Sequence, residues 1–233
     1  MVNYIIAYIM PYCQVVLSQK SLVCYTVFVE NLTKTEKRLF EKLLTPQKIQ
    51  DYLDRLPMNH EYKGETLMSP RRVIREQKAH CIEAALFAAA VLAYHGHKPL
   101  LFDLKTIGLP HDYDHVVALF KVGKHWGAIS KTNHVVLRYR DPIYRSLREL
   151  AMSYFHEYFI ANGKKTLRSY SKPFRLSTKY EWITTEEDLW GIETALDRSS
   201  HVEMVSTFQI SKLRKASRFE RVIAGKEEWI CRN

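Results

Sequence analysis

Cys81 and His115 are the residues whose types and surroundings point to chemistry. Cys81 stands near the start of the segment HCIEAALFAAAVLAY, His80 to Tyr94. This run is rich in alanine and leucine, the strongest helix formers, and predicts a helix. Free backbone N–H groups at a helix start favour a thiolate over a thiol, and the thiolate is the nucleophilic form. Downstream, His115 opens the run HVVALFKV, a strand pattern. Gly123-Lys124-His125 reads as a turn and Trp126 to Ser130 as the returning strand. A histidine at the mouth of a strand can face a helix start packed on the same sheet. A thiol and an imidazole so placed form an activated nucleophile–base pair.

Such an imidazole needs a third group to fix its tautomer and orientation. If Gly123, Lys124 and His125 form a three-residue loop, Val122 pairs with Trp126 and His115 falls opposite Asn133. Opposed residues on one sheet face lie ~5 Å apart at Cβ, and an asparagine can accept from an imidazole N–H. Asn133 is therefore the favoured third member, with Asp141 and Ser130 as alternatives, since a one-residue slip changes the face. His80 and Trp126 are expected to line the site. Glu83, one turn into the helix, either orients a neighbour or serves the helix dipole.

The competing reading of Cys81 is a small buried hydrophobe. The four cysteines, Cys13, Cys24, Cys81 and Cys231, form no CxxC pair and no disulfide scaffold. His95 and His97 sit in a turn. His111 and His115 are four apart, but Pro110 and the β-branched run after His115 place them on loop and strand rather than a helix face. Neither a metal nor a cofactor is expected.

The positioning elements follow from periodicity. Thr33 to Leu56 reads as helix in two runs, divided at Thr45-Pro46 by a threonine cap and a first-turn proline. Residues 57–70 read as loop and Arg71 to Glu76 as a short helical turn. Leu100 to Leu104 is a short apolar strand. Val135 to Leu137 begins another, which ends near Asp141-Pro142. Tyr144 to Ile160 has helical periodicity, and residues 164–180 read as loop and strand. Thr184-Thr185-Glu186-Glu187 offers a capping box before Leu189, Trp190 and Ile192. Helices, one buried helix, a strand meander and more helix make an α+β chain. The expected division is an N-terminal extension over 1–45, a core over 46–165 and a basic, partly helical extension over 166–233.

The segments AHCIEAALFAAAVLAYHGHKPLLFDL and DHVVALFKVGKHWGAIS resemble the transglutaminase-like superfamily, as does the lead-in from Gln50 to Cys81. The resemblance spans residues 46–142, under half of the chain. It implies a papain-like α+β core, with a buried helix packed on an antiparallel sheet. Cys81 would be the nucleophile and His115 its base, in cysteine-dependent acyl transfer on a protein or peptide amide. Two departures stand out. Lys78-Ala79-His80 replaces the glycine the family usually has near the cysteine, and no aspartate follows Trp126 closely.

Hydrophobic residues at 46% and charged residues at 26% suit a globular chain of 233 residues with a sizeable core. The formal net charge is +10, from 35 Lys and Arg against 25 Asp and Glu, and much of the excess follows residue 137. A basic surface can meet nucleic acid or anionic lipid, yet no nucleic-acid motif accompanies it, so a solvated face is favoured. Residues 1–29 are apolar but divided by Pro11 and Lys20, short of the ~20 continuous apolar residues of a membrane span. They lack a basic start and a clear cleavage site. No transmembrane segment and a reducing, cytoplasmic setting are the expectations. The rival readings are a catalytically degenerate binding domain of the same fold and a basic nucleic-acid- or membrane-surface protein.

Overall fold

Serine, threonine and proline punctuate the helices of this chain. In the computed structural model, which describes residues 31–108, 112–177, 179 and 181–229, Thr33 caps α1 (Lys34–Lys42) in a capping box with Glu36. Thr45 caps α2 (Pro46–Arg55), with Pro46 in its first turn. Ser69 caps α3 (Pro70–Glu76) in the same way. In each case a side-chain oxygen accepts an N–H that the first helical turn leaves unpaired. The expectations for residues 1–29, and Cys13, Cys24, His111 and Cys231, lie outside the described residues.

The central helix α4 (Cys81–Tyr94) is apolar nearly all round, and every residue from Ile82 to Ala93 is buried. Its surroundings explain this. One core packs α4 between α1, α2 and α3 on one side and Val116, Ala118 and Phe120 of the sheet on the other. A second core on the far sheet face gathers Phe102, Leu104, Val117 and Leu119 against Leu150, Tyr154 and Phe155. Strand alternation assigns the two sets to opposite faces.

The sheet is antiparallel throughout, with β1 (Leu100–Lys105), β2 (His115–Val122), β3 (His125–Ile129), β4 (Arg140–Tyr144), β5 (Ser169–Ser171), β6 (Phe174–Arg175) and β7 (His201–Glu203). Its order is β4-β3-β2-β1-β5-β7, with β6 also pairing β1. Strands from before and after residue 165 thus share one open seven-stranded sheet among the described residues. The chain is α+β, completed by α5 (Leu147–Phe155), α6 (Glu181–Thr184), α7 (Trp190–Asp197), α8 (Thr207–Ser211) and α9 (Arg218–Ala224). No helix among the described residues is long and apolar enough to cross a membrane.

The β2–β3 hairpin controls the site, and its turn has two residues. Val122 pairs with His125 and Lys121 with Trp126. Gly123 sits at φ +58°, a left-handed backbone that glycine adopts without a Cβ penalty, as two-residue hairpin loops require. The three-residue loop expected from sequence shifts every pair by one. Gly127, opposite Phe120, has a different reason to be glycine. A Cβ there would lie 2.4 Å from Phe120 Cζ and 2.8 Å from the Arg140 carbonyl oxygen. The Phe120 ring fills that space and stacks on Tyr139 with centroids 5.8 Å apart.

Candidate active site

Cys81 is the first residue of α4, His80 its N-cap and Glu83 its third residue. The thiol is partly exposed and takes hydrogen bonds from both His115 and His80. Burial alone would push this thiol up. The two imidazoles outweigh it, through hydrogen bonds and charge, and lower the pKa from 9.0 to about 5. The sulfur is thus a thiolate at neutral pH, as its place at a helix start also favours.

His115 is buried at the mouth of β2. Its Nε2 lies 2.7 Å from Ser130 Oγ, and its ring stands edge-on to Tyr154 with centroids 6.5 Å apart. Ser130 has one hydroxyl proton, and it donates that to the Leu137 carbonyl at 2.6 Å. Ser130 Oγ therefore accepts from His115, so Nε2 carries a hydrogen and Nδ1 is left for the thiol. The observed register explains the pairing. Ala118 opposes Ile129, and one step further Ser130 falls across from Val117. That makes Ser130 a diagonal, same-face neighbour of His115.

Ser130 is itself held from two sides. Gln50 of α2 grips its backbone, accepting from Ser130 N at 3.0 Å and donating to Ser130 O at 2.7 Å. Leu137, which supplies the carbonyl for its hydroxyl, has φ +61°, a conformation leucine adopts at a cost. Its N–H donates to Glu157 at 2.9 Å, and Glu157 pairs with Arg140 at 2.6 Å.

The other side chains singled out in the sequence lie elsewhere. Asn133 exchanges hydrogen bonds with the Trp229 backbone, donating at 2.8 Å and accepting at 2.7 Å, and so pins the end of the described chain. Asp141 is exposed on β4. Trp126 pairs with Lys121, six residues along β2 from His115, or about 20 Å at strand spacing. It receives the Lys121 ammonium over its ring at 4.0 Å. His80 does meet the thiol. Its Nε2 lies 3.0 Å from the Thr66 carbonyl oxygen, 3.4 Å from Glu83 Oε1 and 3.7 Å from Glu61 Oε1.

Glu83 is fully buried and accepts from His80 N (3.0 Å), Met68 N (2.9 Å), Thr66 Oγ1 (2.9 Å) and Asn59 Nδ2 (3.1 Å). It ties the loop before α3 to the helix start beneath the thiol. This role and that of Gln50 are long-range, and only the capping spacing of Glu83 was visible in the sequence.

A cleft of about 210 Å³ opens between Asp112, Leu137, Glu157, Tyr158 and Arg221. It adjoins the site through Leu137, and the buried Tyr158 feels the Cys81 charge. A larger cleft, about 430 Å³, lies between β6, α6 and α7 and includes none of the site residues. Among the described residues no group of three His, Cys, Asp or Glu side chains could hold a metal ion. No protein-family model matches this chain, and no curated protein matches it.

Proposed function

We propose that the protein is a cysteine-dependent acyl-transfer enzyme with a transglutaminase-like, papain-type core. One observation carries this reading: a thiolate at the start of a buried helix is hydrogen-bonded to a histidine whose far nitrogen is held by Ser130. The Cys81 sulfur attacks an amide carbonyl carbon. The C–N bond then breaks, and the departing amine takes a proton from His115 Nδ1. The resulting thioester is resolved by water or by a second amine, whose proton passes to the same Nδ1. The thiolate leaves as the new C–O or C–N bond is completed. Water makes the protein an amidase or peptidase, and an amine makes it a crosslinker.

Ser130 also favours a second reading. A serine oxygen orients an imidazole but brings no charge to stabilise the imidazolium, unlike an aspartate. A binding domain with a reactive but non-turning site fits that substitution. Glutamine-containing peptides separate the two readings, with ammonia release and amine incorporation as readouts. Turnover that is lost in Cys81→Ala supports the enzyme. Rapid thiol alkylation with no turnover on any amide or activated ester supports the degenerate site.

A further inference from the structure

The thiol of Cys81 has two imidazole partners, and acyl transfer needs only one. The surroundings of His80 differ from those of His115. Its Nε2 faces a carbonyl oxygen, Thr66 O at 3.0 Å, which can only accept, so this nitrogen carries a hydrogen. Nδ1 is then the ring nitrogen left to meet the neighbouring thiol. Two carboxylates crowd the protonated edge, Glu83 at 3.4 Å and Glu61 at 3.7 Å. Glu193 of α7 also interacts with the His80 charge. His115, by contrast, is held by a neutral serine hydroxyl.

Taking the acyl-transfer reading as its basis, we propose that His80 is a fixed counter-ion of the site. It stays an imidazolium throughout the cycle and holds Cys81 as a thiolate, while His115 alone moves protons. The division follows from the partners. His80 sits among groups that reward a positive charge and gives its charge to the sulfur. His115 keeps a neutral hydroxyl on Nε2, so its Nδ1 is the ring atom left to exchange a proton with the reacting groups. His80 gains and loses no proton, so the steps written above balance without it. During thioester breakdown its charge also stabilises the departing sulfur. Burial works against the charge on His80, but the hydrogen bond to Cys81, the thiolate and Glu83 hold its pKa up at about 9.

The test is the pH profile of iodoacetamide alkylation at Cys81, read by mass spectrometry on the full chain. It needs no substrate. His80→Asn keeps a good N-cap residue, and Glu61→Gln weakens the same charge without touching the helix start. In the unaltered protein the midpoint is expected at about 5. In His80→Asn the midpoint is expected to rise by one unit or more, cutting the alkylation rate at pH 5 at least about fivefold. In Glu61→Gln it should move the same way by less. In His115→Ala the thiol should still alkylate at pH 7 well above the rate of a free cysteine. An unchanged midpoint in a folded His80→Asn overturns the proposal. So does a His115→Ala thiol that titrates as an ordinary cysteine. If the midpoints shift as expected but no amide is turned over, the acyl-transfer reading fails while the counter-ion role stands.

Discussion

His115 Nε2 and Ser130 Oγ lie 2.7 Å apart, and Gln50 holds the Ser130 backbone from across the domain. The His115 imidazole is therefore oriented, through Ser130, by a helix remote in sequence. Ser130→Ala leaves the His115 N–H and the Leu137 carbonyl without a partner. The variant is expected to lose about 1–3 kcal/mol of stability. Its turnover should fall roughly 10- to 100-fold, because either tautomer becomes accessible. Urea unfolding and steady-state kinetics on one preparation check both, and turnover equal to the parent would remove Ser130 from the site.

Asn133 gives the complementary prediction. Its side chain holds the Trp229 backbone rather than the imidazole. Asn133→Ala should leave Cys81 alkylation and turnover within about threefold of the parent, while loosening residues 226–229. Hydrogen exchange is the measurement. Faster exchange at Glu228 and Trp229 with intact chemistry is expected, and crippled chemistry would return Asn133 to the candidate third position.

These two residues also show where sequence and fold part company. The β2 strand was legible to the residue, and α4 to within one, because their apolar patterns are long and their neighbours local. The register was not legible. Gly123-Lys124 and Gly123-Lys124-His125 are both sensible turns, and choosing between them moves the partner of His115 from one side chain to another. The capping box expected at Thr184 to Glu187 did not form, and α7 begins at Trp190. Leu67 donates its N–H to Asp188, and Leu189 donates its own to Leu67 O, so this stretch is tied to a distant loop before the helix can start. Such contacts across more than a hundred residues have no local signal. Arg140 likewise has a structural partner that no local pattern announces: it pairs with Glu157 and lies 4.1 Å over the Tyr154 ring.

Gly127→Ala tests the hairpin. The new Cβ meets both the Phe120 ring and the backbone of Arg140. The ring can tilt, but the backbone oxygen cannot move without parting β3 from β4. The expected cost is about 1–3 kcal/mol, or several degrees of Tm in a chain of this size. A variant as stable as the parent would mean that β4 yields freely at this point.

Asp103 predicts a pH dependence of stability away from the thiol. Its Oδ2 meets His201 Nε2 at 3.0 Å, linking β1 to β7, while its buried Oδ1 has no partner. Burial pushes the carboxyl from 3.8 up to about 6, with the Asp114 charge adding and the His201 hydrogen bond opposing. A carboxyl raised on folding disfavours the folded state once it must ionise. Its contribution is most favourable below 3.8 and is lost as pH rises through about 6. Asp103→Asn removes that term. The variant should gain on the parent between pH 4 and pH 7.5 by up to about 3 kcal/mol. Comparing the two proteins by urea unfolding cancels the titrations of Cys81 and His80, which run through the same window. A difference that stays flat with pH would show that Asp103 ionises in the fold without penalty.

The central claim is that Cys81 accepts an acyl group, and the most direct measurement is the mass of the trapped intermediate. The protein is mixed with glutamine-containing peptides or a simple activated ester, quenched in acid within seconds and digested. The account predicts an acyl adduct on the peptide carrying Cys81. Hydroxylamine should discharge it, it should be absent from Cys81→Ala, and from the activated ester, whose leaving group needs no proton, it should accumulate when His115→Ala slows its breakdown. A Cys81 that alkylates readily yet carries no acyl group from any amide or ester would contradict the claim, leaving a thiolate site that binds without turning over.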